Sequence, residues 1–600
     1  MDKSLHQLIK KQVDNYTQLP VKINTYYDFN MHETIEKIDA YMASRFLNGD
    51  TDAQGRRKFF ENIVVAPRNK WKSSTDIDRQ NIRIKSAHGD DFYRPKIFTG
   101  LFRDWMNRVA FGNFLNQCGE TLATYSTAVT KIVEKDGDLH YQVIPFNRLV
   151  VDPINFHANP KIEKLEYTTA QLRMNPAYDQ VAVENLIEAF SHQSSEMITG
   201  EKKDYNDTYI QLWEVHGNLP VGYLKEKPTE KDWTTFTQQM HVIAITKSKD
   251  KGEQEHTLYS GREKKDPYRI SYLVEYAGRT LGQGPVEMLF EAQEVVNTAN
   301  YRADRQLELA SMQLFQTSDP ELEGTNVLSD LENGIIIRHS KDAPLTQVNN
   351  TSHDVNYLNV RADRAKMSAQ EITGTPDVLM GKNLPSGTAW RQAEILNREA
   401  NDPFQYMMEN KAHTLEAMLR EDIIPFYVKK LKNMDKELVA SFTPAELAII
   451  DEAWADALAS EEAAKRFLSG ELITPEVMDE MKTTIKGVLT KGASERFIKS
   501  ESWAKYWDGF EYEVEVEITG ESSNKEAALT TLNSILAVIS KNPQIMTDPT
   551  TRLIMSRALE ESGTISPVEL PQPSTAQLSA GGGLQAQQVG QPVANNQLNG

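Results

Sequence analysis

The stretch nearest to a phosphate-binding loop is Gly487-Val488-Leu489-Thr490-Lys491-Gly492-Ala493-Ser494. It has both glycines and the serine, but no lysine follows the second glycine. Such a loop works by turning backbone amides and that lysine toward a phosphate, so nucleotide hydrolysis is not expected. Gly282 and Gly284 precede a helical pattern, yet a dinucleotide site needs a third glycine and a β-α-β setting; turn chemistry accounts for them better. His32, His88, His140 and His256 are scattered on polar stretches without partners at metal-ligand spacing, and His413 stands alone on a helical pattern, so all five read as solvated. Ser386-Gly387 lacks the flanking glycines of a nucleophile elbow, and Cys118 has no readable triad partner. Carboxylates are abundant, but a metal-dependent nuclease built from them would need tertiary proximity that spacing does not disclose. No cofactor, metal or catalytic residue is expected, and this pattern favours a structural or interaction protein.

The chain that carries these residues has 600 of them, enough for several cores. Hydrophobic residues at 40% and charged residues at 25% are globular values that exclude wholesale disorder. Sixty-six basic against 85 acidic residues give a net charge of −19, which excludes a protein that coats nucleic acid over its whole surface. One cysteine can form neither an intrachain disulfide nor a multi-cysteine zinc site. Met1 to Asp14 lacks an apolar core ending in a cleavage site, and no run of 18 apolar residues follows, so neither an export signal nor a membrane span is expected. From Pro571 onward there is no charged or aromatic residue, and 571–600 reads as a disordered tail.

Hydrophobic periodicity predicts the elements between. Residues 1–120 read as mainly helical, with Ile35, Ile38, Tyr41, Met42 and Phe46 on one face and Ile97, Leu101, Trp105, Val109 and Phe111 on another. A β-rich layer opens at Ala128, where Asp136-Gly137-Asp138 separates two alternating runs as a hairpin turn. It continues through Asn147–Pro153, Tyr209–His216 and Met240–Thr246, with Lys225–Trp233 as exposed loop. Gly284-Pro285 then starts a helix of about 28 residues, on the order of 40 Å long. A small α/β insert follows, with a β-like run at Ile335–Arg338. The next helix begins near Thr351 or Ser352 and ends at Gly374. Its stripe is Val355, Leu358, Ala362, Ala365, Ala369 and Ile372, at spacings of three and four. Such a narrow, small-residue stripe suits close helix packing, either in a ring of subunits or in an ordinary intramolecular pair. After a loop, a very long helix runs from Ala389 toward Lys430, kinked or interrupted at Pro403 and Pro425. Shorter helices fill 435–500, starting at Thr443-Pro444 and Thr474-Pro475. Tyr512, Val514, Val516 and Ile518 alternate with four glutamates as a strand, and Lys525–Ile539 returns to helix.

Three phrases in order, Ile144-Pro145-Phe146-Asn147 through Asp152-Pro153, Leu281-Gly282-Gln283-Gly284-Pro285-Val286-Glu287, and Ile372-Thr373-Gly374-Thr375-Pro376-Asp377-Val378-Leu379-Met380-Gly381, resemble those of tailed-bacteriophage portal proteins. The resemblance covers roughly residues 25 to 570. It implies a mixed α+β, predominantly helical portal fold with wing, stem, clip, tunnel loop and crown. On that pattern, 1–282 is an N-terminal helical region and α/β wing, 283–312 the first stem helix, 313–350 the clip and 351–374 the second stem helix. Then 375–388 is the tunnel loop, 389–430 a long helix toward the crown, and 431–570 the helical crown, with 511–539 as a wing segment. The implied function is a twelve-fold ring at one capsid vertex, assembled in the host cytoplasm. The ring is the channel for double-stranded DNA packaging and ejection, without a reaction of its own. Its implied partners are terminase, head-completion or adaptor proteins, and major capsid and scaffold proteins. The tunnel-loop residues Met380, Gly381, Lys382, Asn383 and Leu384 would lie beside DNA, with Lys382 either touching phosphates or simply exposed on the loop. Arg302, Arg305, Arg361, Arg364 and Lys366 would face the lumen or pair with acids such as Asp304 and Asp363. Another virion structural or scaffold protein, and a metal-dependent nuclease, are the alternatives.

Overall fold

Alternation at the hairpin and 3.6-residue periodicity along the long segments do set the elements, in a mixed α+β structure. The computed structural model describes residues 4–77, 82–86, 93–196, 209–248, 252–311, 314–316, 318, 341–342, 346–348, 355–376, 390–432, 438–441, 444–469, 473–489, 495–498, 507 and 512–516. The chain divides into two compact units, one formed by 1–434 with 503–520 and the other by 435–502 with 521–600.

The first unit begins with α1 (Leu5–Gln18), the short hairpin β1 (Val21–Asn24) and β2 (Tyr27–Phe29), α2 (Met31–Met42) and α3 (Val65–Ser74). Strand β3 (Ile82–Ser86), α4 (Tyr93–Arg108) and α5 (Phe111–Tyr125) follow. The expected continuous apolar face from Ile97 to Phe111 therefore belongs to two helices. Ala110 takes a left-handed φ of 52° between them.

Next come β4 (Thr127–Lys135) and β5 (Asp138–Ile144), paired in register so that Lys135 faces Asp138. Asp136 and Gly137 both have positive φ, 54° and 75°, the geometry of a two-residue hairpin turn. Where Asn147–Pro153 reads as strand, a 3₁₀ turn at Phe146–Arg148 leaves only β6 (Leu149–Val150). The layer is completed by β7 (Lys161–Tyr167), α6 (Thr169–Met174), α7 (Gln180–Glu196), β8 (Ile210–Pro220), β9 (Phe236–Ser248), β10 (Gly252–Arg262) and β11 (Tyr268–Tyr272). The strands form an antiparallel five-stranded sheet, β10-β9-β8-β7-β6, and a three-stranded sheet, β11-β4-β5.

The expected 28-residue helix is broken once. A single turn, α8 (Pro285–Met288), is followed by α9 (Phe290–Ser311); Leu289, between them, departs from helical geometry and is fully buried. Gly284 caps the turn ahead of Pro285 at N1. A Cβ at Gly284 would lie 2.7 Å from the Thr124 carbonyl oxygen, so close backbone approach requires glycine there. Of the insert, β12 (Leu314–Gln316) and β13 (Thr346–Val348) pair antiparallel, while Ile335–Arg338 lies outside the described residues.

Helix α10 (Val355–Ile372) then returns, and Gly374 (φ 64°) turns the chain after it. Helix α11 (Trp390–Met418) passes through Pro403, widens to a π-turn over Leu419–Ile423, and resumes as α12 (Ile424–Lys432) with Pro425 in its first turn. Proline offers no N–H and crowds the preceding turn, and the wide turn absorbs that irregularity.

In the second unit, α13 (Pro444–Leu468) and α14 (Pro475–Leu489) start at the two prolines as expected, although α13 is long, at 25 residues. They pack through Ala459, Ala463 and Met481. Strands β14 (Leu438–Ser441) and β15 (Glu495–Ile498), absent from the sequence reading, pair antiparallel and flank the two helices in the chain order β14-α13-α14-β15. The acidic strand, β16 (Tyr512–Val516), belongs to the first unit and pairs antiparallel with β3, with Glu513 opposite Lys85 and Glu515 opposite Arg83. The expected helix at Lys525–Ile539 and the tail 571–600 lie outside the described residues. No helix among the described residues is long and apolar enough to cross a membrane.

Candidate functional site

The α9–α10 pair is the feature that the sequence singled out. Ala369 packs in one cluster with Val286 and Leu289, so the end of α10 lies beside the start of the α8–α9 segment, and the two helices run antiparallel. On α10, Leu358, Ala362 and Ala369 are buried, Val355 and Ala365 are half-buried, and Ile372 is exposed at the helix end. On α9, Val296, Ala299 and Ala303 are buried. The small residues let the helices approach within the chain itself.

The chain segment before α3 laces one side of this pair through polar groups that α9 buries. The fully buried Gln293 accepts from the Ile63 N–H (2.9 Å) and donates to the Glu61 carbonyl (2.5 Å). Asn297 accepts from the Glu61 N–H at 3.1 Å. The Glu61 carboxylate bridges both helices, receiving Asn300 of α9 and Lys366 of α10, each at 2.6 Å. Burial works to raise this carboxyl, but the bonds from Lys366 and Asn300 outweigh it, and its pKa is lowered. Farther along, Arg56 reaches Glu308 at 3.1 Å, and Tyr301 donates to Asp52 at 3.2 Å. At the other end, the Trp71 indole donates to the Thr373 carbonyl at 2.9 Å, which ties α3 to the turn after α10.

Of the basic residues, Arg305 pairs with Glu308, 2.8 Å away and one turn along α9, rather than with Asp304. Lys366 takes Glu61 in preference to Asp363, which is 3.8 Å distant. Arg302 and Arg361 line a groove of about 340 Å³ between the helices, together with Glu291, Glu294 and Leu358. The loop residues Met380, Gly381, Lys382, Asn383 and Leu384 lie outside the described residues.

A second polar cluster, which spacing could not disclose, fills the seam between the two sheets. Lys131 of β4 lies 2.9 Å from both Glu163 of β7 and Glu214 of β8, and all three are buried. Tyr268 of β11 donates to Glu163 at 2.8 Å. His216 has Glu214 at 2.6 Å from Nε2 and Glu263 at 3.0 Å from Nδ1. Carboxylates only accept, so both ring nitrogens donate and the ring is imidazolium. Burial opposes that charge, but the bonds to Glu214 and Glu263 raise the His216 pKa above its ordinary 6.5. Burial likewise opposes the Glu214 charge, yet His216 and Lys131 hold its carboxyl down to about 2. Neighbouring His241 is the opposite case, pushed down to about 4 by burial and by the His216 charge.

Of the histidines read as solvated, His413 alone among the described residues is exposed, while His32, His140 and His256 are half-buried, His32 lying edge-on to the Tyr16 ring. His413 is exposed between Glu409 and Glu416, His256 contacts Thr246 at 3.0 Å, and His88 lies outside the described residues. Cys118 is buried, and burial pushes its thiol up to about 11. Among the described residues, no group of three or more His, Cys, Asp or Glu side chains is placed to hold a metal ion. Gly282 donates its N–H to Thr127 Oγ1 at 2.6 Å, which assigns the glycine pair to chain packing. No protein-family model matches the chain, and no curated protein matches it.

Proposed function

We propose that this chain is the portal subunit of a tailed bacteriophage. Twelve copies close into a ring at one capsid vertex, and double-stranded DNA passes through the ring during packaging and ejection. The order of elements supports this reading most. A mixed α/β body leads into an antiparallel helix pair, a β-paired segment, β12 with β13, lies between the two helices in the chain, and a long helix follows the pair. A cyclic ring repeats one heterologous interface until it closes, and a braced helix pair is a stiff element on which to build it. The subunit acts by geometry and performs no reaction. An acidic chain suits a conduit, because a channel that bound phosphate strongly throughout would hold DNA through salt-dependent contacts.

The insert between α9 and α10 is the docking site for terminase and then for head-completion or adaptor proteins, while the body meets capsid and scaffold proteins. The protein resides at the portal vertex of the virion. The loop after α10, with Lys382, contacts the DNA backbone transiently. Removing residues 377–386 tests this role: rings should still form while packaging fails, as measured by nuclease-protected DNA in assembled heads. Normal packaging by that variant would remove the loop from the mechanism.

A further inference from the structure

The chain between α2 and α3 borders a cleft of about 560 Å³, lined by Ser44, Arg45, Asp50, Arg57, Lys58 and Phe59 among others, a size that suits a small ligand. Three cations and one acid line it, so positive charge is in surplus. Asp50 is bonded by the Arg45 guanidinium and by the Phe46 N–H, the latter at 3.2 Å, and Arg57 acts on it through charge alone. Arg57 and Lys58 make no side-chain hydrogen bond or ion pair among the described residues, and the Lys58 ammonium rests 4.8 Å from the centre of the Phe46 ring. Asp52 and Glu308 do not line the cleft: both accept from Arg56, at 3.2 and 3.1 Å. Exposure alternates along 57–60. Arg57 and Phe59 are exposed, Phe59 by 67%, while Lys58 and Phe60 are half-buried, so a guanidinium and an aromatic face share one side. Ser44 Oγ accepts from Asn62 at 2.9 Å and keeps its own proton to donate.

We propose that this cleft binds a nucleoside di- or triphosphate. The Arg57 guanidinium offers a phosphate two parallel N–H donors, and Lys58 adds a compact charge beside it. The exposed ring of Phe59 supplies a face on which a base stacks. Inorganic phosphate or an acidic peptide would use the cations and leave that ring idle, whereas a nucleotide uses both. The ligand is bound and not hydrolysed, because Asp50, the one acid lining the cleft, is held by Arg45 and no lysine-bearing glycine loop is present among the lining residues. One chain carries the whole site, so the inference stands apart from the ring-forming reading.

Fluorescence anisotropy of ADP labelled on its ribose with a methylanthraniloyl group, titrated with the full-length chain, tests it. Unlabelled ADP, GDP, CDP and UDP, inorganic phosphate, poly-aspartate and a single-stranded oligonucleotide serve as competitors. The variants are Arg57→Ala, Phe59→Ala and Asp50→Asn, and far-ultraviolet circular dichroism melts verify that each folds as the wild type does. The expected result is saturable binding that unlabelled nucleotides displace about tenfold more effectively than inorganic phosphate. Arg57→Ala should weaken nucleotide and phosphate alike by about tenfold, Phe59→Ala should weaken the nucleotide alone by about tenfold, and Asp50→Asn should tighten both. No saturable binding up to millimolar nucleotide would overturn the proposal. Equal displacement by phosphate with no effect of Phe59→Ala would reduce the cleft to a plain anion site and overturn it too. Displacement by poly-aspartate or by the oligonucleotide at lower concentrations than by any unlabelled nucleotide would assign the cleft to a macromolecule instead.

Discussion

Among the described residues, Lys131 is the lysine that pairs with Glu163 and Glu214 in the seam between the sheets, and all three are buried. Lys131→Met should therefore cost about 3–5 kcal/mol, since it leaves buried carboxylates without that cation. Chemical denaturation measures the loss. His216 adds a pH dependence with a definite sign. Its folded pKa lies above its ordinary value of 6.5, so its stabilisation is complete below 6.5 and is lost as pH rises through the folded value. Glu214 acts in the opposite direction: its contribution is present above the ordinary carboxyl range and is lost as pH falls toward about 2. A melting-temperature profile of the wild type should decline on the alkaline side of 6.5, and His216→Gln should flatten that decline. An unchanged slope in the variant would show that another group titrates. Nothing in the sequence marks these residues, because Lys131, Glu163, Glu214 and Glu263 come from four separate segments that only sheet packing unites.

At the scale of elements, the helix pair depends on amide side chains that brace it to the chain before α3. Gln293→Ala would leave the Ile63 N–H and the Glu61 carbonyl without partners, at a cost of about 1–3 kcal/mol. Hydrogen exchange should report local opening at Ile63 before global unfolding, whereas unchanged protection there would contradict the bracing role. The elements that were legible in the sequence are those with local signals. Asp136-Gly137 marked its hairpin, and Pro285, Pro444 and Pro475 marked helix starts. Leu289 was illegible as a break because an apolar residue at helical spacing fits both a continuous helix and a buried kink. Strand β3 was missed because its partner β16 lies more than 400 positions away, and a five-residue strand has little periodicity of its own. Val355, Leu358, Ala362, Ala365, Ala369 and Ile372 were legible as a stripe, but which neighbour covers a stripe is a tertiary fact.

For the whole molecule, the central claim is that one chain is a repeating segment of a closed channel. Its large acidic surplus, the two compact units and the braced antiparallel pair are all properties of the single chain, while the lumen would exist only in the assembly. On that proposal, the helix pair would present no convergent chemistry of its own, because the channel surface would form only between copies. The measurement that tests the claim most directly is the mass and shape of the purified full-length protein, by light scattering with negative-stain microscopy. Twelve chains of 68.0 kDa predict particles of about 0.8 MDa with a central channel. A species at 68.0 kDa that persists at all concentrations and in the presence of scaffold protein would contradict it.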